Sequence, residues 1–247
     1  MTTITRSLFL LLAAFPLAAE PIADVRGALG RLTGRESVRA TYELQQSVTN
    51  EGKLDNDKYS GKVAVDLEAD ASGFRVIYTR PLLEQLSREQ QAKSADPNRK
   101  VPTASALREI DPVETTNALD FAPELLRMME GAKVVSDAQA TWAGKPARAV
   151  ILRLADRIDN EDKGRVKVSE NRLTLWLGTD HVPLAAEHIF NAKFSFLVFK
   201  GEAKQKKSWH FARVADRLVR ARFELTSSTS GLGQKGNESV VATVRVH

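Results

Sequence analysis

The alternating stretch at residues 185–199 constrains the fold of this chain more than any other feature. Apolar residues recur there at every second position, a period that places them on one face of a β-strand. At ~3.3 Å per residue the stretch would extend about 50 Å, so we expect it to bend or twist within a curved sheet. One of its faces must then border a core or a cavity. The residues on that face are Phe190, Ala192, Phe194, Phe196 and Val198.

Segments with the same period of two occur along most of the chain and predict about ten strands. The first strands lie within residues 38–78, and the others follow residue 131 at the spacing of an antiparallel meander. No helix separates consecutive strands in the way that a parallel α/β fold requires. We therefore predict an α+β fold that is mainly β, with a single curved antiparallel sheet shaped as an open or half barrel.

Helical periodicity predicts an amphipathic helix over residues 22–32 and a helical insert at about residues 81–130. Within the insert we expect helices over residues 82–95, 104–110 and 123–130. Their apolar side chains need a large apolar surface, and the concave face of the sheet offers one. The helices would either fill a packed core there or form a lid over a hydrophobic cavity. The predicted cavity-lining residues are Tyr42, Leu44, Val63, Val65, Phe74, Val76, Tyr78, Leu82, Leu83, Leu86, Leu125, Met128, Met129, Phe190, Phe194 and Phe196.

The N-terminus has the three parts of an export signal, namely a positive charge at Arg6, a short apolar run and small residues up to Ala19. We expect cleavage after Ala19, which would leave residues 20–247 as a single domain in the periplasm or secreted from the cell. The chain contains no cysteine, which removes disulfides and a lipid-attachment site. We expect the mature domain to be soluble and to be stabilised by its core alone.

The sequence contains no motif typical of catalysis, metal binding or cofactor binding. Gly231 begins a G-x-G-x-x-G string, but the residues after it are strand-like, whereas a dinucleotide site needs a helix N-terminus there. We interpret the string as a hairpin loop. His188 lies on the side of the phenylalanines and is interpreted as a satisfied core histidine, with a pH-sensitive contact as the alternative. We therefore expect no metal, no cofactor and no enzymatic activity.

The densest basic stretch lies at residues 200–210 of a chain whose net charge is only +5. One interpretation is a charged hairpin end that protects a sheet edge from pairing with other chains. The other is a docking surface for an acidic partner or for the surface of a membrane. Export argues against nucleic acid as the partner. The predicted docking residues are Lys204, Lys206, Lys207 and Trp209.

The order of the predicted elements resembles that of a known superfamily of periplasmic proteins. It runs from an N-terminal helix through three strands and inserted helices to a long meander, with WAGKP at residues 142–146 and LTLWL at residues 173–177 within that meander. This order is similar to that of the lipoprotein carrier (LolA-like) and RseB-type superfamily. The resemblance implies a concave sheet that covers helices and a hydrophobic cavity for acyl chains. The resemblance assigns a binding role to no individual residue of this sequence.

Two functions from different classes follow from these features. In the first, the protein is an exported, monomeric, non-enzymatic carrier that shelters a lipid or an acylated protein in its cavity. In the second, it is an interaction or sensing module of the cell envelope with a packed core and a basic end that docks on another protein. The presence and the lining of a cavity between the sheet and the helices distinguish the two.

Overall fold

The computed structural model describes residues 21–52, 57–158, 164–196, 199–231 and 233–247. Strands account for most of these residues, as their alternating patterns predict. The strands are β1 (Val38–Gly52), β2 (Asp57–Asp70), β3 (Gly73–Ile77), β4 (Lys133–Trp142), β5 (Lys145–Arg153), β6 (Val166–Leu177), β7 (Pro183–Phe196), β8 (Phe199–Val214), β9 (Arg217–Gly231) and β10 (Gln234–Val246).

All the strands belong to one antiparallel sheet with the order β3-β2-β1-β10-β9-β8-β7-β6-β5-β4. Neighbours in this order are also neighbours along the chain, except that β1 pairs with β10. Tyr42 illustrates this junction, because its two cross-strand partners are Val65 in β2 and Val244 in β10. The sheet has two free edges, β3 and β4, so it is open. The predicted mainly β fold with one open antiparallel sheet is thereby confirmed.

The described helices are α1 (Pro21–Gly30), α2 (Arg80–Ala95), α3 (Pro102–Leu107), α4 (Pro112–Leu119) and α5 (Ala122–Met128). Helix α4 was not predicted, although its start carries a recognisable signal. The carboxylate of Asp111 accepts the backbone N–H of Glu114 at 2.7 Å, and Pro112 occupies the first helical position. An acidic cap followed by proline is typical of a helix N-terminus.

The helices pack on one face of the sheet, which we call the inner face. Helix α3 contacts β2 and β1, α4 contacts β9 and β1, and α1 contacts β4 and α5, while α2 packs on α3. Gly61 of β2 shows how close this packing is, because a Cβ atom there would overlap the backbone carbonyl oxygen of Pro102 in α3. Only a residue without a side chain allows α3 to lie this near the strand.

The predicted strand over residues 185–199 differs from the structure at its C-terminal end. Strand β7 ends at Phe196, and Phe199 already belongs to β8, where it pairs with Phe196 across the hairpin. The apolar alternation continues through both strand ends, so the sequence pattern did not reveal the reversal. Val198 lies outside the described residues.

The opposite face, which we call the outer face, carries a small aromatic cluster. The ring of Trp142, at the end of β4, lies 4.8 Å from that of Trp176 in β6 and 5.2 Å from that of His210 in β8. Ala185 lies between Trp176 and His210 in the same row of the sheet, and its small side chain leaves room for the indole of Trp142. The end of the β4–β5 hairpin therefore folds over the outer face, away from the helices.

Candidate functional site

A cavity of about 270 Å³ lies on the inner face between the middle of β6–β9 and the helices α4 and α5. We call it the inner cavity. The cavity has an aromatic wall, a few aliphatic side chains and an unusual number of charged groups. Its lining residues are Glu114, Asn117, Phe121, Glu124, Arg127, Met128, Leu154, Ala155, Arg157, Asn171, His188, Phe190, Lys207, Trp209, Arg220 and Phe223.

The aromatic wall is organised around Trp209, whose side chain is almost fully buried. Its ring lies 5.4 Å from that of Phe121, which precedes α5, and 6.0 Å from that of Phe223 in β9. Centroid distances of this size are typical of favourable aromatic pairs. Phe190 of β7 adds a further ring to the lining. Together these rings form an apolar wall of the cavity, although Phe121, Trp209 and Phe223 are themselves almost fully buried.

Arg220 enters this surface because of an irregularity in the β8–β9 pairing. The register shifts by one residue between His210 and Ala212, because β9 has one more residue there than β8, and regular pairing resumes with Ala212 opposite Val219. Arg220 is thereby buried, with 2% of its side chain exposed, and its guanidinium carbon lies 4.6 Å from the centre of the Phe223 ring. A cation over an aromatic face is attracted by the ring quadrupole.

The arginines of the lining each have a carboxylate partner. For the buried Arg220 such pairing is expected, because a buried guanidinium without a counter-charge is strongly unfavourable, whereas Arg127 and Arg157 are about half exposed. The pair of Arg220 links β9 to α4, that of Arg157 links the loop after β5 to the end of α5, and that of Arg127 lies within α5. The pairs are Arg220–Glu114 at 2.7 Å, Arg127–Glu124 at 2.6 Å and Arg157–Glu130 at 3.1 Å.

Lys207 is the exception among these cations. It lies on the inner face of β8, where its cross-strand partners are His188 in β7 and Leu225 in β9. Within the described part of the chain its ammonium group forms no ion pair, and it faces the cavity together with Trp209, two positions further along the strand. An unpaired, half-buried ammonium attracts an anion.

His188 is held as a neutral imidazole at the cavity wall. Its Nε2 lies 2.8 Å from Oδ1 of Asn171, while Nδ2 of Asn171 donates to the carbonyl oxygen of Ala155 and to Asp156. Because the amide oxygen needs a donor, the ring proton is on Nε2. Burial lowers the pKa of His188 to about 4, and the charge of Lys207 adds to this effect.

The inner cavity combines an aromatic wall with charged and amide side chains. Its described lining residues include no serine, threonine or cysteine, and Nε2 of His188 is hydrogen-bonded to the amide of Asn171. Among the described residues no group of at least three His, Asp or Glu side chains is placed to hold a metal ion. The cavity offers aromatic surface, N–H donors and one unpaired positive charge.

The predicted cavity-lining residues lie in several different environments. Phe190 and Met128 line the inner cavity. Most of the others are buried in the continuous core or at its border, which corresponds to the packed-core alternative. These residues are Tyr42, Leu44, Val63, Val65, Phe74, Val76, Leu82, Leu86, Leu125 and Met129.

Three of the predicted lining residues lie away from the cavity, and a fourth has no described side chain. Tyr78 is 45% exposed because it follows the end of β3, and Leu83 is 52% exposed because it lies on the outer side of α2, next to the buried Leu82. Phe194 lines a separate cleft at the ends of the long strands, where its ring covers Gly201. The side chain of Phe196 lies outside the described residues.

The predicted docking residues do not form one surface. Alternation along β8 places Lys207 and Trp209 on the inner face, whereas Lys204 and Lys206 lie on the outer face. The prediction of a single basic patch is therefore wrong, and the reason is the period of two that identifies the strand. Trp209 is also buried, so it is not available to a docking protein.

Lys204 and Lys206 border a groove of about 440 Å³ on the outer face. Its floor consists mainly of hydroxyl and amide side chains from β1, β7, β9 and β10. Both lysines have acidic neighbours, since Lys206 lies 2.8 Å from Glu187 and Lys204 lies 3.7 Å from Glu202. Their positive charge is thus partly compensated, in contrast to that of Lys207.

No family model and no curated protein matches the chain. Among solved structures, a DUF1329 family protein from Desulfovibrio piger is similar at 11% identity and a TM-score of 0.27, over 90% of this chain and 92% of that chain. MucB, solved in complex with MucA(peri), is similar at 10% identity and a TM-score of 0.24, over 91% of this chain and 94% of that chain. Similarities this low carry no conclusion about function, which must be argued from the site itself. Membership of the lipoprotein-carrier superfamily stays a prediction.

Within the part of the chain that the structure describes, none of the helices has the length and apolar character needed to cross a membrane. The predicted export signal at residues 1–19 lies outside the described residues. Delivery to the periplasm or secretion therefore stays a prediction as well.

Proposed function

We propose that this protein is a non-enzymatic binding or carrier module that shelters the apolar part of a lipid or of a lipidated partner in the inner cavity. The main support is that the inner cavity lies beneath α4 and α5 against the rings of Phe121, Phe190, Trp209 and Phe223. Apolar surface that faces a cavity gains free energy when a ligand displaces water from it.

The size of the inner cavity restricts what it holds. At about 270 Å³ it lies just below the ~300–1,000 Å³ typical of small-molecule sites, so we propose a single short alkyl chain or the end of a longer one. Burying about six methylenes at ~0.8 kcal/mol each contributes about 5 kcal/mol, which corresponds to sub-millimolar affinity before ordering costs. Contacts at the charged part of the lining would add to this.

The test is native mass spectrometry of the protein purified from its own host, together with uptake of a fluorescent fatty acid. Ala155 is an exposed residue of the cavity lining, so Ala155→Trp should block the cavity at little cost in stability and should reduce uptake. The matched control is Ala138→Trp on the exposed edge strand β4, which should take up the probe as the wild type does. Absence of both a co-purifying lipid and probe uptake would contradict the proposal.

The second candidate function is docking of an acidic envelope protein on the outer-face groove at Lys204 and Lys206. The specific observation in its favour is the concave, hydroxyl-rich floor between β1 and β7, which provides hydrogen-bonding groups for an extended chain. Lys204→Glu combined with Lys206→Glu should abolish a pull-down from an envelope extract without changing thermal stability. Unchanged partners at low ionic strength, where surface charges act most strongly, would refute it.

A further inference from the structure

We propose that the ligand of the inner cavity carries an anionic head, a carboxylate or a phosphate, which is bound by Lys207. This inference rests on the proposed function and adds the chemical class of the ligand. The charges of the cavity lining provide the first support. Each arginine there is compensated by a carboxylate, and the His188 imidazole is neutral, so Lys207 leaves an excess of positive charge among the described groups.

The unpartnered polar atoms of the lining point to the same class of ligand. Nε1 of Trp209 and Nε of Arg220 are buried and lack a hydrogen-bond partner, and both residues have less than a tenth of their surface exposed. Both atoms are N–H donors, and a buried donor without an acceptor is unfavourable. A ligand oxyanion supplies acceptors and negative charge together, whereas a cationic head would meet Lys207 and Arg220 at close range.

The position of Lys207 defines how such a ligand lies in the cavity. Lys207 is half-buried beside His188 and Leu225, and Trp209 follows it on the same face of β8 in the direction of the helices. The head would therefore lie between Lys207 and the N–H groups of Trp209 and Arg220, and the alkyl chain would extend along the ring of Phe190. This orientation keeps the anion at the wetter end of the cavity, where its desolvation costs least.

The experiment compares three ligands of equal chain length by isothermal titration calorimetry, namely octanoate, octyl phosphate and octanol. We expect the wild type to bind at least one of the two anions about tenfold more tightly than octanol, and the preferred anion identifies the head. Lys207→Met should weaken binding of that anion about tenfold and leave octanol unchanged, and Lys207→Arg should restore most of the loss. Lys145→Met is the matched control, because Lys145 is an exposed lysine at the start of β5, away from the inner cavity, and should have no effect.

The outcomes separate this inference from the proposed function. If octanol binds as tightly as both anions, or if Lys207→Met binds the anions as the wild type does, the cavity takes an apolar chain without recognising its head, and the inference is overturned. If no ligand of the three binds and the fluorescent fatty acid is not taken up either, the proposed function fails as well. Circular dichroism of each variant verifies that it is folded.

Discussion

Protonation of His188 should destabilise the protein in mildly acidic solution, and His188→Gln should remove that effect. The glutamine amide donates a hydrogen bond to Asn171 in place of the imidazole but has no charge to gain. In the wild type the neutral imidazole is favoured by burial and by Lys207, so its pKa is about 4 in the folded protein, against 6.5 for a free histidine. The two values set both the size and the pH range of the effect.

Well above pH 6.5 the imidazole is neutral in both states, and its contribution to stability is fully present. As the pH falls below this value, the unfolded chain binds a proton that the folded protein refuses, so the free energy of unfolding decreases until the folded protein also protonates near pH 4. Each pKa unit corresponds to ~1.4 kcal/mol, so the loss is about 2 kcal/mol at about pH 5 and about 3 kcal/mol below pH 4.

Urea denaturation of the wild type and of His188→Gln at about pH 7.5 and about pH 5 tests this expectation. The two proteins share every other titratable group, so those contributions cancel in the difference between them. We expect the wild type to lose about 2 kcal/mol more than the variant between the two conditions. Equal losses in both proteins would refute the assignment of a neutral, desolvated histidine to the cavity wall. An NMR titration of the imidazole gives the pKa directly.

Further predictions concern contacts that hold the helices on the sheet. Glu114→Ala should lower the free energy of unfolding by about 3 kcal/mol, because it leaves the buried Arg220 without a counter-charge. Arg220→Met should lower it by less, because the Glu114 carboxylate can then be rehydrated. Equal losses for the two variants in urea denaturation would contradict this. Gly61→Ala should lower the free energy of unfolding by about 1–3 kcal/mol, because the added methyl group overlaps α3. Gly27→Ala in α1, where a Cβ meets no atom within 4 Å, should raise it by about 0.5–1 kcal/mol. The same result at both sites would refute the packing argument. Arg148→Met should lower the melting temperature, because its guanidinium bonds α1 at 3.0 Å and β4 at 2.7 Å; an unchanged melting curve would show these bonds to be negligible.

Alternation in the sequence was sufficient to predict the class of the fold, because a period of two identifies strands wherever one face is buried. It was insufficient for the ends of the strands. The boundary between β7 and β8 lies within a run of apolar residues, where nothing in the pattern marks the end of β7 at Phe196. Helix α4 was missed for another reason. Its cap, formed by Asp111 and Pro112, is local and visible in the sequence, but eight residues give too short a periodic pattern to stand out.

The site was predictable only in part, for reasons of geometry. The alternating and helical patterns placed Phe190 and Met128 on apolar faces, and both residues line the inner cavity. The sequence alone could also have placed Lys206 and Lys207 on opposite faces of the sheet, because adjacent residues of a strand such as β8 point to opposite faces. Arg220 was different, because a register irregularity brings it into the aromatic surface, and no residue type in the sequence marks that irregularity.

The place of the inner cavity follows from a difference in length between the two layers of the fold. Strand β8 has 16 residues and would extend about 50 Å, whereas α4 and α5, with 8 and 7 residues, are each only about 12 Å long. The helices therefore cover one part of the inner face, and the strands must change from apolar to polar where that cover ends. In β8 this change falls between Trp209 and Lys207. A site that combines an aromatic wall with an unpaired ammonium is therefore expected at this border, where a ligand can bury its chain beneath the helices and keep its head near water.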